Sequence, residues 1–330
     1  MRKWPLMISS AILSLSAATG AGASCGSANC FLVTGTQEGM APEGRLVMDL
    51  SYRFIPADQP QEGSDETAEA ITAGIDFAGG AIDPGHHQEI RTNNELLQMD
   101  LGYGLAPRWT LGLTLPLVNN RHHEHYHLSA GGKEFRREDY TGFGDVRLGA
   151  RYAAVAATKH LLALGAALKA PTGEYKLLNT EGEISEPTIM PGTGSWDEVV
   201  SAYYEYQIRP YKVSTFVSGS YQFNGENDLD YRFGDTLMIN AGMTYAATVH
   251  ERRFTTSVQI NARQSPHDEY RGAAVPSTGG TWVYLTPGLQ VQVSDTTSLY
   301  THLQLPIYQE VNDANLVPRY GFILGASFNL

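Results

Sequence analysis

The chain has 330 residues, of which 42% are hydrophobic, 10% aromatic and 18% charged, with 34 Gly, 16 Pro and 18 Tyr, so it is neither a disordered nor a collagenous sequence. Its 23 Lys and Arg stand against 35 Asp and Glu, a formal net charge of −12, and a nucleic-acid partner is not expected because that needs a basic face. Beyond the N-terminus no run approaches the ~20 apolar residues of a spanning helix, and the mean hydropathy is −0.24. Helical membrane proteins are excluded. Outer-membrane barrels are not, because their lipid-facing residues alternate with polar ones and average away in any hydropathy window.

Arg2 and Lys3 precede an apolar, small-residue run from Leu6 to Ala18, then Ala21-Gly22-Ala23. This is the layout of a cleaved export signal, expected over residues 1–24. Cys25 sits where a lipoprotein cysteine would, but Gly22-Ala23-Ser24 lacks the large aliphatic residue three places before it. Cys25 and Cys30 are instead expected to form a small disulfide loop in an oxidising compartment, within an N-terminal periplasmic segment spanning 25–43.

From Gly44 to Leu330 the chain repeats one pattern, segments of roughly 10 to 14 residues that alternate apolar with polar or small side chains, which is the period of a strand. Twelve are expected, near 44–54, 92–104, 108–118, 143–155, 161–170, 196–208, 211–223, 235–248, 253–264, 281–293, 297–307 and 319–330. Long connections alternate with turns of a few residues, the pattern of long outer loops and short periplasmic turns. In the last segment Tyr320, Phe322, Leu324, Ala326, Phe328 and Leu330 share one face and Gly321, Ile323, Gly325, Ser327 and Asn329 the other. Tyr52, Tyr103, Trp109, Tyr152 and Tyr320 near segment ends suit aromatic girdles. The fold expected is an all-β antiparallel barrel in the outer membrane of a Gram-negative bacterium, monomeric, with lipid around it. A secreted soluble β-protein also alternates, but its apolar face turns inward; here the other face is rich in Gly, Ala, Ser, Thr and Gln, which suits a lumen.

With the apolar set outward, the strand charges point in: Arg45, Asp49, Arg53, Asp100, Asp145, Arg147, Arg151, Lys169, Glu205, Arg263 and His302. Facing lipid, an Arg or Lys at the midplane would cost about 2–4 kcal/mol. Their mixed signs suit either ion pairs across a narrow lumen or an aqueous path without strong ion selectivity. Histidines gather in Arg121-His122-His123-Glu124-His125-Tyr126-His127, with His86-His87 in the preceding long connection, all on the outer side. Imidazoles two apart on an extended segment face one way and can chelate Zn²⁺ or Cu²⁺; a polar surface loop has the same composition. No other cofactor is expected. No Gly-x-Ser-x-Gly, His-Glu-x-x-His or dinucleotide fingerprint occurs, so no enzyme is expected. The first long connection, with Gln61, Glu62, Asp65, Glu66, Glu69 and Gly79-Gly80, is either a solvated cap or a segment folded into the mouth.

Three stretches carry a resemblance: Gly142-Phe143-Gly144-Asp145-Val146-Arg147-Leu148-Gly149, Leu168-Lys169-Ala170-Pro171-Thr172-Gly173 and Gly192-Thr193-Gly194-Ser195-Trp196-Asp197. In this order, from about residue 90 to the C-terminus, the chain resembles the outer-membrane family named for the meta-cleavage (MetA) pathway of phenol degradation. The resemblance implies a barrel that moves small molecules, hydrophobic or aromatic ones first. The alternative reading is a closed structural or metal-binding barrel whose His-rich outer loops meet Zn, Cu or a protein partner.

Overall fold

The computed structural model describes residues 40–330 apart from Ala130. The export signal, Cys25 and Cys30 lie outside the described residues. Twelve long strands build the wall: β1 (Leu46–Glu62), β2 (Ala81–Ala106), β3 (Trp109–Ser129), β4 (Val146–Ala156), β5 (His160–Ala170), β6 (Asp197–Arg209), β7 (Val213–Phe223), β8 (Thr236–Val249), β9 (Arg252–Ser265), β10 (Gly280–Gln292), β11 (Thr297–Val311) and β12 (Gly321–Asn329). Each pairs antiparallel with the next, and β1 closes the barrel by pairing with β12 from Val47↔Asn329 to Phe54↔Phe322. Among the described residues, closure leaves no unpaired sheet edge in the hydrocarbon region, where an unmade backbone hydrogen bond costs several kcal/mol.

The expected alternation holds strand by strand. Leu50, Leu111, Leu148, Val200, Ile239 and Leu324 are exposed on the outside, while their sequence neighbours Asp49, Ser51, Thr110, Val199, Asn240 and Ile323 are buried inside. Trp109 on β3 lies against Tyr152 on β4 with ring centroids 4.9 Å apart at the periplasmic edge. The periplasmic turns are tight: between β8 and β9 both His250 and Glu251 take positive φ, 48° and 64°, the backbone twist that a two-residue hairpin needs.

Two segments expected as loops are strand. β2 begins at Ala81 rather than near 92, and β3 runs to Ser129 rather than to 118. Residues Gly132–Gly142 then return along the outer half of β3, from Ser129↔Gly132 to Asn119↔Gly142, and Ala70–Asp76 pair along the start of β2. Crossing the hydrocarbon takes about 9–11 residues of a tilted strand, so the upper halves of β2 and β3 stand clear of the membrane. Their outward faces carry Arg91, His122 and Glu124, and the returning strand adds Arg137 and Asp139. None of these could face lipid cheaply.

The first long connection folds into the mouth. Ala70, Thr72 and Ala73 are buried, and Ala73 joins Tyr231, Phe233, Tyr270 and Val275 from the β7–β8 and β9–β10 loops in an apolar cluster over the outer opening. Beneath it Asp268 accepts hydrogen bonds from the Tyr231 hydroxyl (2.6 Å) and the Gly234 N–H (2.8 Å). At the other end the chain before β1 enters the barrel: Ala41 N–H donates to Thr110 Oγ1 (3.0 Å), and Met40 packs with Leu161 against Ala163, Tyr203 and Phe216 on β5–β7. A Cβ at Gly104 would lie 2.0 Å from the Pro42 carbonyl oxygen, so glycine lets this segment press on the wall.

Candidate functional site

The three motif stretches meet in one place. Lys169, at the outer end of β5, puts its Nζ 2.8 Å from Asp145 Oδ2 and 2.7 Å from Asp197 Oδ2, and all three side chains are fully buried. Asp145 also accepts hydrogen bonds from the Gly173 N–H (2.9 Å), the Thr193 N–H (3.0 Å) and the Thr193 hydroxyl (2.8 Å). Asp197 accepts from Ser195 Oγ (2.8 Å), Gln222 Nε2 (3.0 Å) and the Gly225 N–H (3.1 Å). Backbones pass so closely here that a Cβ on Gly192 would lie 2.5 Å from the Gly173 carbonyl carbon. The cluster pins the β5–β6 loop, residues 171–196, across the outer opening.

The lumen is filled unevenly. From β1, β2 and β9–β11, long side chains reach inward: Arg53, Gln98, Asp100, Arg263, Trp282, Tyr284 and Gln304 are all nearly inaccessible to solvent. Asp49 accepts a hydrogen bond from the Tyr300 hydroxyl at 2.6 Å, and Asp100 accepts from Thr114 Oγ1 and Gln98 Nε2, each at 2.7 Å. Arg53 and Arg147 supply the positive charge beside Asp100. The Arg263 guanidinium sits 5.4 Å from the Trp282 ring centre, a cation–π contact. From β3–β8 many of the inward residues are small, with Gly112, Gly149, Gly165, Ala167, Ser201 and Ser220 among them. There a cavity of about 110 Å³ remains, flanked by Asp100, Arg147 and Arg151. Below it Tyr203 and Phe216 stack with centroids 6.0 Å apart, against Met40.

Above the membrane the inner faces of β2 and β3 bring histidines together, because the pairing sets His87 beside His127 and Thr92 beside His123. His87, His123 and His125 are buried, and the ring nitrogens of each can approach within 4.8 Å of the others. His86, His87 and His127 form a second such set, and His87, Glu89 and Glu186 a third. A cavity of about 430 Å³ opens beside them, lined by His86, His87, His125, His127, Glu138 and Glu186 among others. Burial and the adjacent His123 and His87 push the His125 pKa down to about 2. Burial opposes protonation of His87, but the neighbouring Glu186 and Glu89 carboxylates outweigh it and raise its pKa. Burial favours the protonated form of Glu186, yet His87 beside it brings its pKa below the ordinary value, whereas burial raises that of Glu89.

Asp49, Arg53, Asp100, Arg147, Arg151, Glu205, Arg263 and His302 project inward, Glu205 beside the Tyr203 hydroxyl at 3.3 Å. Three expected lumen residues differ. Arg45 precedes β1 and is exposed at the periplasmic rim; Asp145 and Lys169 point inward but are sealed under the β5–β6 loop as an ion cluster. Among the histidines, His122 turns outward, against Glu124 and Asp139, because alternation puts it on the opposite face from His123. Glu89, Thr92 and Glu186 complete the outer cluster and were not foreseen. The strand phase links Glu89 to His87; nothing in the sequence brings Glu186 there. Tyr300, also unforeseen, is in phase with His302.

A closed barrel with an apolar belt outside and a polar interior is an integral outer-membrane β-barrel. The chain belongs to the family described as "Putative MetA-pathway of phenol degradation", whose profile matches residues 76–324. Among solved structures it is similar to the COG4313 outer membrane channel from Pseudomonas putida F1, with a TM-score of 0.58 and 14% identity over 90% of this chain and 98% of that one. It also aligns with the Ralstonia pickettii toluene transporter TbuX, with a TM-score of 0.44 and 10% identity over 87% and 90% of the two chains. The likeness to the Pseudomonas putida F1 channel concerns fold. No curated protein matches the sequence.

Proposed function

We propose that the barrel is a non-enzymatic channel that passes small aromatic solutes bearing a hydroxyl group, along the small-residue side of its lumen. The observation that carries this reading is the lopsided filling of the interior: the cavity of about 110 Å³ beside Gly112, Gly149, Ser201 and Ser220 is slightly below the ~150 Å³ that accepts benzene in an engineered protein interior. One ring fits with a modest shift of the flanking side chains. Arg147, Arg151 and Asp100 offer partners to a hydroxyl, and Tyr203 and Phe216 offer ring faces toward the periplasm. The family description points to phenol chemistry, and the similar Pseudomonas putida F1 protein is an outer membrane channel.

Planar-bilayer recordings of the refolded protein test it. Conductance steps are expected, with phenol reducing the current as it occupies the path. Ser201→Trp and Ser220→Trp are expected to lower both conductance and phenol sensitivity, while Thr256→Trp on the lipid face leaves them unchanged. Silence of the wild type and of Phe216→Ala, which clears the lower path, would refute conduction in favour of a closed barrel.

A further inference from the structure

We propose that the outer mouth holds a divalent transition-metal site formed by His87, His123 and His125, with Glu186 as the fourth ligand. This inference is independent of the transport reading. The three imidazoles come from two paired strands whose inner faces bring their ring nitrogens within 4.8 Å of one another, and the rings of His87 and His125 lie 4.0 Å apart, those of His123 and His125 4.7 Å. Two buried ring nitrogens, His123 Nε2 and His125 Nδ1, have no hydrogen-bond partner, and His87 Nδ1 has only the Glu186 carboxylate beside it. Buried polar atoms are almost always hydrogen-bonded, so orphans in one small cluster need a cause. A shared cation satisfies all of them at once.

The surroundings support the same assignment. His123 Nδ1 is 2.9 Å from Thr92 Oγ1, which leaves Nε2 as the nitrogen available to a metal. Such a second contact, orienting a ligating ring through its other nitrogen, is the usual support of a histidine ligand. Glu186 Oε1 pairs with His87 Nδ1 at 2.6 Å, which places its carboxylate at the edge of the imidazole cluster. Glu89 stands behind, with its Oε2 3.5 Å from His123 Nδ1 and its Oε1 accepting a hydrogen bond from the Thr72 hydroxyl at 2.8 Å. Three nitrogens and one carboxylate oxygen suit Zn²⁺ and its neighbours rather than Ca²⁺ or Mg²⁺, which prefer oxygen ligands. The inner set is favoured over His86, His87 and His127 because all three of its imidazoles are buried, while His86 and His127 are half-exposed. The consequence is mechanical: the ion joins the β2–β3 wall to the β5–β6 loop through Glu186, and so clamps that loop over the opening.

The test uses full-length, tag-free protein refolded in detergent and stripped with a chelator, titrated calorimetrically with Zn²⁺. One equivalent is expected to bind with Kd near or below about 1 µM. His123→Gln and His125→Gln are expected to weaken binding at least 100-fold, and Thr92→Val about 10–100-fold. Co²⁺ is expected to give the intense visible band of a tetrahedral site, and Zn²⁺ to slow trypsin cleavage after Lys176 in the β5–β6 loop. Millimolar affinity, unchanged affinity in the His123 and His125 variants, or loss only on replacing His86 and His127 would overturn the assignment. Should a histidine variant fail to reach the heat-modifiable folded form, the wild-type Co²⁺ spectrum decides: a weak octahedral band refutes the site.

Discussion

Replacing Lys169 by Met removes a cation that touches two fully buried carboxylates, Asp145 and Asp197, at 2.8 and 2.7 Å. Breaking a buried pair by deleting one partner costs about 3–5 kcal/mol, because the remaining charge stays desolvated. Two features set the value at the lower end of that range. Asp145 retains three donors in Gly173 and Thr193, and Asp197 retains Ser195, Gln222 and Gly225. A loss of about 3 kcal/mol is therefore expected, more than a hundredfold in the unfolding equilibrium, since 1.4 kcal/mol is a factor of ten. Urea unfolding in micelles reads it directly, by gel mobility for the barrel and by fluorescence for Trp196, the neighbour of Asp197. Adding Asp197→Asn to Lys169→Met removes one uncompensated charge and is expected to restore part of the loss. A change below about 1 kcal/mol in the single variant, or further destabilisation in the double one, would refute the view that the ion cluster holds the β5–β6 loop.

Gly192→Ala is expected to cost stability comparable to an overpacked core, about 1–3 kcal/mol, because its Cβ would lie 2.5 Å from the Gly173 backbone; equal unfolding midpoints would show that the two ends of the β5–β6 loop yield freely. Gly104→Val is expected to drive residues 40–43 off the wall and raise single-channel conductance, since even a Cβ there meets the Pro42 carbonyl at 2.0 Å; unchanged conductance would exclude that segment from the path. Asp268 carries a pH dependence. Burial, opposed by the Gly234 N–H, Tyr231 and Arg263, raises its pKa from 3.8 to about 7. A carboxyl whose pKa is higher in the folded state stabilises that state fully below pH 3.8, and this contribution is lost as pH rises towards 7, by on the order of a few kcal/mol. Compared with Asp268→Asn, the wild type is expected to lose protection of the β9–β10 loop against proteolysis between pH 5 and 8; a constant ratio of cleavage rates across that range would contradict it.

The barrel was legible because lipid enforces a period of two. Leu111, Leu113 and Leu115 alternate with Thr110, Gly112 and Thr114, and the observed β3 keeps that phase as far as Pro116, beyond which an irregularity in its pairing with β2 reverses it and turns Asn119, Arg121, His123 and His125 inward. Legibility ended where lipid ended. In His122-His123-Glu124-His125-Tyr126-His127 both faces are polar, so hydropathy no longer distinguishes strand from loop, although strand pairing, interrupted by bulges, continues to Ser129. The candidate site divides in the same way. Inward charges such as Arg53 and Asp100 follow from strand phase. The meeting of Lys169 with Asp145 and Asp197, and of Glu186 with His87, depends on how a long loop folds over the opening, which no local period encodes. The motifs of the family resemblance were visible as separate strand ends; only the folded chain shows that they serve one ion cluster.

The β1–β12 closure has a kinetic consequence. Val47 pairs with Asn329 and Phe54 with Phe322, so the last ladder joins residues from opposite ends of the chain and cannot zip until every intervening hairpin is in place. Its loop entropy is spent before any of its contacts repay it, which makes this the step of highest contact order and the natural bottleneck of folding. The reverse path meets the same barrier, because opening the seam exposes two unpaired edges to hydrocarbon. Unfolding and refolding curves in denaturant should therefore fail to superimpose over ordinary incubation times, and the barrel's persistence in the membrane is governed by a rate rather than by its equilibrium free energy.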